Sequence, residues 1–202
     1  MTARNVLKRG TKNLFLLLML PAFLLYGLLA TVGGKDATFQ SFSQCLSLIP
    51  GKLGIYMRAA FYRLACPETS DEISVGFLTV FSHWDTTIRK GVYIGPQCNI
   101  GKCTIGERAL LGSGVHVLSG SRQHEFSDPD KPIQEQRGAF EKIAIGSDCW
   151  LGNQALVMAS VPKGSIIAAG TVYIRELDEQ AAIFAGNPAK VIKHRVQGVH
   201  SQ

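Results

Sequence analysis

The sequence predicts an all-β domain wound as a parallel coil of short strands, preceded by a helical segment that associates with membrane. Three observations carry this: an aliphatic residue recurring about every six positions from Ile88 to Ile167, a glycine after most of those positions, and an uncharged apolar run over residues 14–30. The chain has 202 residues, which suits one domain with an appendage, and 46% apolar against 18% charged residues supply a core and exclude a disordered chain. The net charge of +6 (21 basic, 15 acidic) sits at the ends: Arg4, Lys8, Arg9 and Lys12 within the first 13 residues, and Lys190, Lys193 and Arg195 after residue 180. Neither stretch holds an acid, so the middle is nearly neutral and a nucleic-acid-binding face is not indicated.

Residues 14–30, LFLLLMLPAFLLYGLLA, follow the basic start directly. A secretory signal would need a small-x-small cleavage site after the run, and LLATVGGKD offers a poor one. A membrane crossing needs about 20 residues. Pro21 divides the run into pieces of seven and nine, so a hairpin bent at Pro21 and re-entering one leaflet fits as well as a crossing. The positive-inside tendency keeps residues 1–13 cytoplasmic. The strings FQSFSQCLSLIP and GKLGIYMRAAFYRLACP, punctuated by Pro50 and Pro67, read as two short helices. Lys52, Arg58 and Arg63 among Tyr56, Phe61 and Tyr62 suit a helix at the lipid interface, and a helix pair capping the next domain's core suits them equally. Residues 1–70 are thus expected as a basic, apolar and amphipathic membrane-associated segment. Five cysteines (Cys45, Cys66, Cys98, Cys103, Cys149) without a C-x-x-C pair read as buried thiols in a reducing compartment.

The coil is expected over residues 71–175. Its aliphatic punctuation falls at Ile88, Ile94, Ile100, Ile105, Leu111 and Val117, and resumes at Ile145, Leu151, Val157, Val161 and Ile167. A small or β-branched residue follows four places after most of these: Val92, Cys98, Thr104, Ala109, Val115, Ala155, Ser165 and Thr171. Three such units close a triangular turn of about 18 residues. The glycines are expected to supply turn conformations closed to other residues. Spacings of five (Ile100 to Ile105) and four (Val157 to Val161) break the rule. Residues 121–142, SRQHEFSDPDKPIQEQRGAFEK, interrupt the repeat with nine charges and two prolines, as a functional or a disordered loop would.

The repeat, with DCWLGNQALVMASVPKGSIIAAGTVY and AGNPAKVIKHR, resembles the hexapeptide-repeat acyltransferases, whose coil is a left-handed parallel β-helix, and in particular their O-acetyltransferase branch. The resemblance spans roughly residues 73–195, and the N-terminal segment with LSLIPGKLGIYMRAAFYRL looks most like members from polysaccharide clusters. It implies that His124 is the general base, although GSRQHEF departs from the soluble enzymes' spacing by about two residues. Histidine suits the task because its ordinary pKa near 6.5 leaves it free to accept a proton at cytosolic pH. Acetyl-CoA is the implied co-substrate, with backbone groups of Gly152, Asn153 and Ala169 along its pantetheine arm and Lys190 and Lys193 at its phosphates. Arg195 is a weaker phosphate candidate. A basic tail is expected over residues 176–202, and its acid-free stretch after residue 180 favours such charge on independent grounds. Trp150 matches an aromatic beside the reaction centre, and a subunit contact would suit it as well.

The function expected is acetyl transfer to a hydroxyl of a cell-surface polysaccharide sugar or its lipid-linked precursor. The enzyme would be a homotrimer bound to membrane lipid at the cytoplasmic face of the inner membrane. An N-acyltransferase acting on an amino sugar is the alternative within the enzymes. A zinc hydratase like the hexapeptide-repeat carbonic anhydrases would use His83, His116 and His124, whose spacings of 33 and 8 do not match that class. A catalytically silent scaffold is the remaining alternative, and no metal is expected.

Overall fold

The computed structural model describes residues 3–195. Three helices come first: α1 (Ala3–Gly33), α2 (Lys35–Ser47) and α3 (Gly51–Ala65). The coil follows. Its first turn is β1 (Ser74–Val75), β2 (Val80–Phe81) and β3 (Thr87–Ile88), and its second is β4 (Tyr93–Ile94), β5 (Asn99–Ile100) and β6 (Cys103–Ile105). The third is β7 (Leu110–Leu111), β8 (His116–Val117) and, after the long loop, β9 (Ile143–Ile145). The fourth is β10 (Trp150–Leu151), β11 (Leu156–Val157) and a single bridge at Val161, and the fifth holds β12 (Ile166–Ile167) and β13 (Val172–Tyr173). β14 (Ala182–Ala185) extends the first face in parallel, and β15 (Lys190–His194) folds back antiparallel upon it. The expected basic tail therefore begins as a hairpin on the coil.

Corresponding strands stack in parallel into three faces, in the orders β1-β4-β7-β10-β12-β14, β2-β5-β8-β11-β13 and β3-β6-β9. Two residues per strand suffice because only one side chain per strand must point inward. On the first face Val75, Ile94, Leu111, Leu151, Ile167 and Phe184 lie in register and fully buried. Phe81, Ile100, Val117, Val157 and Tyr173 do the same on the second. Ile88, Ile105, Ile145 and Val161 complete the third. Every punctuating position read from the sequence is inward.

Two details differ from the sequence reading. The five-residue spacing before Ile105 turns Thr104 outward and puts Cys103 in the core, because β6 is a three-residue strand with both ends buried. The glycines after the aliphatic positions are also not in left-handed conformations; those are held by Leu78, Gln97, Arg108, Asp148 and Gln154 as well as by other glycines. What Gly152 avoids is a collision, since a Cβ there would lie 2.5 Å from the Ala169 nitrogen of the next turn.

α2 and α3 cap the open first turn. Of the two arrangements that suited Arg58, Phe61 and Tyr62, the cap is the one adopted, since all three are wholly buried. The Arg58 guanidinium donates to Leu46 O at 2.9 Å and Ile49 O at 2.8 Å at the end of α2, and to Val75 O at 3.0 Å in β1. Ser43 Oγ lies 2.8 Å from Tyr62 Oη and accepts from Phe81 N, a second tie between helices and coil.

α1 runs through Pro21 without interruption, so the hairpin expected there does not form. Pro21 is exposed, and aromatic packing holds the helix in line on both sides of it. Phe15 stacks on Tyr56 at 5.1 Å, and Tyr26 meets Phe42 and Phe61 at 5.9 Å. Near one end Arg9 pairs with Asp71 at 2.8 Å, and just beyond the other Lys35 Nζ sits 3.5 Å above the Trp84 ring. Asp71 and Trp84 belong to the same first turn, so α1 lies crosswise to the coil axis. Its outer side carries exposed Leu14, Leu17, Leu18, Leu24, Leu25 and Leu28. By length and composition α1 is able to cross a membrane.

Candidate active site

The loop between β8 and β9 leaves the edge where the second and third faces meet. It is ordered as a hairpin: Glu141 N donates to Ser119 O at 2.9 Å, Ala139 N to Arg122 O at 2.8 Å, and Glu125 N to Arg137 O at 2.8 Å. Polar side chains stitch it further. Arg122 pairs with Glu141 at 2.5 Å, and the Gln136 amide donates to Asp128 O at 2.8 Å and accepts from Asp128 N at 3.1 Å. His124 sits between two rungs of this hairpin, exposed, and among the described residues no hydrogen bond orients its ring.

The stem of the hairpin is tied to the first turn. Lys142 Nζ donates to Asp85 at 2.6 Å and lies 3.3 Å from Thr87 Oγ1, while Lys102 meets the other Asp85 oxygen at 3.3 Å. Burial works to raise the Asp85 carboxyl, but the two ammonium groups outweigh it and hold its pKa below the ordinary value. His83 lies beside this tie, its Nδ1 2.8 Å from Ser82 Oγ and its ring 5.1 Å from Phe140 of the hairpin. His116 points outward from β8, in register between Asn99 and Leu156. Among the described residues no three His, Cys, Asp or Glu side chains converge as metal ligands, so His83, His116 and His124 do not form the triad weighed above.

Gly152, Asn153 and Ala169 occupy another edge, where the first and second faces meet. Gly152 and Asn153 join β10 to β11, and Ala169 joins β12 to β13 one turn further on. Gly152 N donates to Ile167 O at 2.7 Å and Gly170 N donates to Asn153 O at 2.9 Å, so part of this backbone is engaged in the coil itself. The Asn153 side chain, for which the sequence suggested no role, accepts from Ser113 N at 3.0 Å and caps the turn below. Trp150 is exposed on the first face between Leu110 and Ile166, in line with exposed Tyr93. Lys190 and Lys193 are exposed on β15 beyond this edge. Arg195 is committed elsewhere: its guanidinium pairs with Asp148 at 3.0 Å and donates to Gly164 O at 3.3 Å. Within one chain, therefore, His124 stands apart from Gly152, Asn153 and Ala169, with the second face between them.

The model of the bacterial transferase hexapeptide (six repeats) matches residues 85–119. The coil has the left-handed parallel β-helix fold, and one stretch of it matches the hexapeptide repeat. Its likenesses are to acetyltransferases. A probable macrolide acetyltransferase of Lysinibacillus sphaericus is 32% identical over 114 residues, 51% of this chain and 63% of the relative's length. The chain thus spans less than two thirds of that relative. Maltose O-acetyltransferase of Clostridium difficile 630 shares the fold at a TM-score of 0.66 and 15% identity, over 78% of this chain and 87% of that one. A hexapeptide-repeat acetyltransferase of Vibrio cholerae O1 biovar eltor, solved with acetyl-coenzyme A, does so at 0.62 and 16%, over 83% and 92%.

Proposed function

We propose that this chain is an acetyl-CoA-dependent O-acetyltransferase whose acceptor is a hydroxyl of a cell-surface polysaccharide sugar or of its lipid-linked precursor. The observation that carries the reading is the ordered hairpin that holds His124 out from a hexapeptide coil. His124 takes the hydroxyl proton as the oxygen attacks the thioester carbonyl, the C–S bond breaks, and the thiolate leaves with an ordinary thiol pKa near 8.5. The Gly152–Asn153 and Ala169 turns lie along the cofactor's pantetheine arm, Trp150 stands near the reacting end, and Lys190 and Lys193 face its phosphates.

The active form is a homotrimer. His124 and the Gly152 edge stand apart on one chain, and side-by-side packing about a threefold axis would bring the hairpin edge of one copy to the Gly152 edge of the next. The exposed strip of Tyr93, Leu110 and Trp150 offers an apolar contact for that packing. The chain sits at the cytoplasmic face of the inner membrane, where acetyl-CoA is available, held by the leucine side of α1.

His124→Asn is expected to lower turnover by about 10² to 10⁴ with acetyl-CoA binding retained. Replacing Lys190 and Lys193 with Ala should weaken acetyl-CoA binding and leave saturated turnover close to normal. Near wild-type turnover in His124→Asn would sink the assignment, and a monodisperse active monomer by light scattering would sink the trimer.

A further inference from the structure

A cleft of about 440 Å³ opens between the last third of α1, α3 and the first turn of the coil, lined by Tyr26, Gly27, Ala30, Lys35, Leu64 and Trp84 among others. Its walls are mainly apolar, yet two of its lining residues, Tyr26 and Lys35, carry polar groups. The Tyr26 hydroxyl is buried and has no hydrogen-bond partner among the described residues. The Lys35 ammonium rests 3.5 Å above the Trp84 ring, and the neighbouring Asp36 carboxylate is already engaged, accepting from Trp84 N at 3.0 Å. An unpartnered buried hydroxyl costs about 1–3 kcal/mol, which a ligand able to bond it would recover.

We propose that this cleft binds the lipid phosphate of a lipid-linked saccharide acceptor, with the hydrocarbon chain along Ala30 and Leu64 and the phosphate between Lys35 and the Tyr26 hydroxyl. The assignment rests on the acetyl-transfer reading above and specifies how its acceptor is held. Two placements favour it. Leu24, Leu25 and Leu28, exposed on the same stretch of α1, give a hydrocarbon chain an apolar path from a bilayer into the cleft. Trp84 adjoins His83, whose ring packs on Phe140 of the hairpin that carries His124, so a phosphate held at Lys35 would leave the attached sugar on the hairpin's side of the molecule.

The test uses the full chain in phosphatidylcholine nanodiscs, titrated with farnesyl phosphate and read by Trp84 emission in a Trp150→Phe background. Saturable binding is expected. Lys35→Gln should weaken it about tenfold, the loss of one charge-assisted hydrogen bond, and leave binding of farnesol, which has no phosphate, unchanged. Tyr26→Phe should weaken farnesyl phosphate binding about fivefold, and Ala30→Phe, which fills the cleft without adding a tryptophan, should remove saturation. Lys35 is exposed, so the Lys35→Gln comparison does not depend on whether the cleft-filling variant folds. No saturable binding, or binding equal to wild type in both Lys35→Gln and Tyr26→Phe, would overturn the proposal. Dioctanoyl phosphatidic acid binding as tightly as farnesyl phosphate would give the cleft to membrane phospholipid and overturn it too. Acetyl-CoA affinity measured on the chain with Trp150 intact separates the two readings, because absent binding there refutes acetyl transfer and leaves the lipid cleft standing.

Discussion

Arg58→Met would sever the bond between the helical cap and the coil while filling nearly the same volume. The wild-type guanidinium donates three hydrogen bonds at 2.8–3.0 Å to carbonyls of α2, the α2–α3 turn and β1. Hydrogen bonds from a charged donor are worth about 1.5–3 kcal/mol each, a gross loss of roughly 4.5–9 kcal/mol. Against this, the variant no longer has to desolvate a fully buried cation, a saving of several kcal/mol. The net is a destabilisation of about 3 kcal/mol, within the range seen when one side of a buried charged network is removed. For a chain of this length that lowers the melting temperature by about 6–12 °C. Thermal melting followed by circular dichroism in one detergent checks the size. Hydrogen exchange checks the place, since protection should fall in β1 and α2 before it falls at Leu111 or Leu151. A shift under about 2 °C would mean that the carbonyls find water without cost and that Arg58 does not hold the cap to the coil.

Three other outcomes follow from the same geometry. Only Cys45 is exposed, and burial raises the pKa of the other four thiols, Cys103 up to about 12, so the native protein should react with a maleimide at one position and the denatured protein at five; two or more fast native thiols would contradict this, and Cys45 rather than Cys66 is the position for probing sidedness. The Asp85 carboxyl is held below its ordinary pKa by Lys142 and Lys102, so its contribution is present above the unfolded value near 4 and fades as pH falls through the lower folded value. Hydrogen exchange of residues 139–143 should accelerate in that acid range, and Asp85→Asn should show the loosened stem already at pH 7; identical protection in the variant would refute the tie. Gly152→Ala places a Cβ 2.5 Å from the next turn's backbone and should cost about 1–3 kcal/mol in a thermal melt, whereas Gly170→Ala, with open space around it, should lose only what its φ of +66° imposes.

The coil was legible because its instruction is local. Each strand needs one inward aliphatic residue at a fixed offset, so Leu111, Leu151 and Ile167 announce themselves, and even Cys103 could have been found by letting the five-residue spacing move the inward position back by one. The ends were less legible: Val75 and Phe81 at the start and Phe184 at the finish take the same inward places, but the flanking rhythm is lost in helices and hairpin. Pro21 misled because propensity speaks for an isolated helix, whereas α1 is held by Tyr56 and Phe61. In the candidate site, His124 and the Gly152 turn could be named from motifs. What orders the hairpin could not, since Lys142 meets Asp85 across 57 residues and nothing in either neighbourhood marks the other. The Tyr26–Lys35–Trp84 cleft escaped for the same reason, each of its walls reading alone as ordinary apolar sequence.

The crosswise lie of α1 turns the coil into a gauge of height. With α1 flat on a bilayer, the coil axis stands upright on the membrane, and each turn lifts the next by the spacing of neighbouring strands, about 4.8 Å. The hairpin departs from the third turn, two above Trp84, which sets the root of the His124 loop about 10 Å above the level of that ring. Inserting one more hexapeptide turn between β3 and β7 would raise the loop by one strand spacing without altering its own contacts. On the proposed function, a sugar tethered at the lipid surface would then present a different hydroxyl to His124, and the number of turns below the loop would set where along a tethered saccharide the chain can reach.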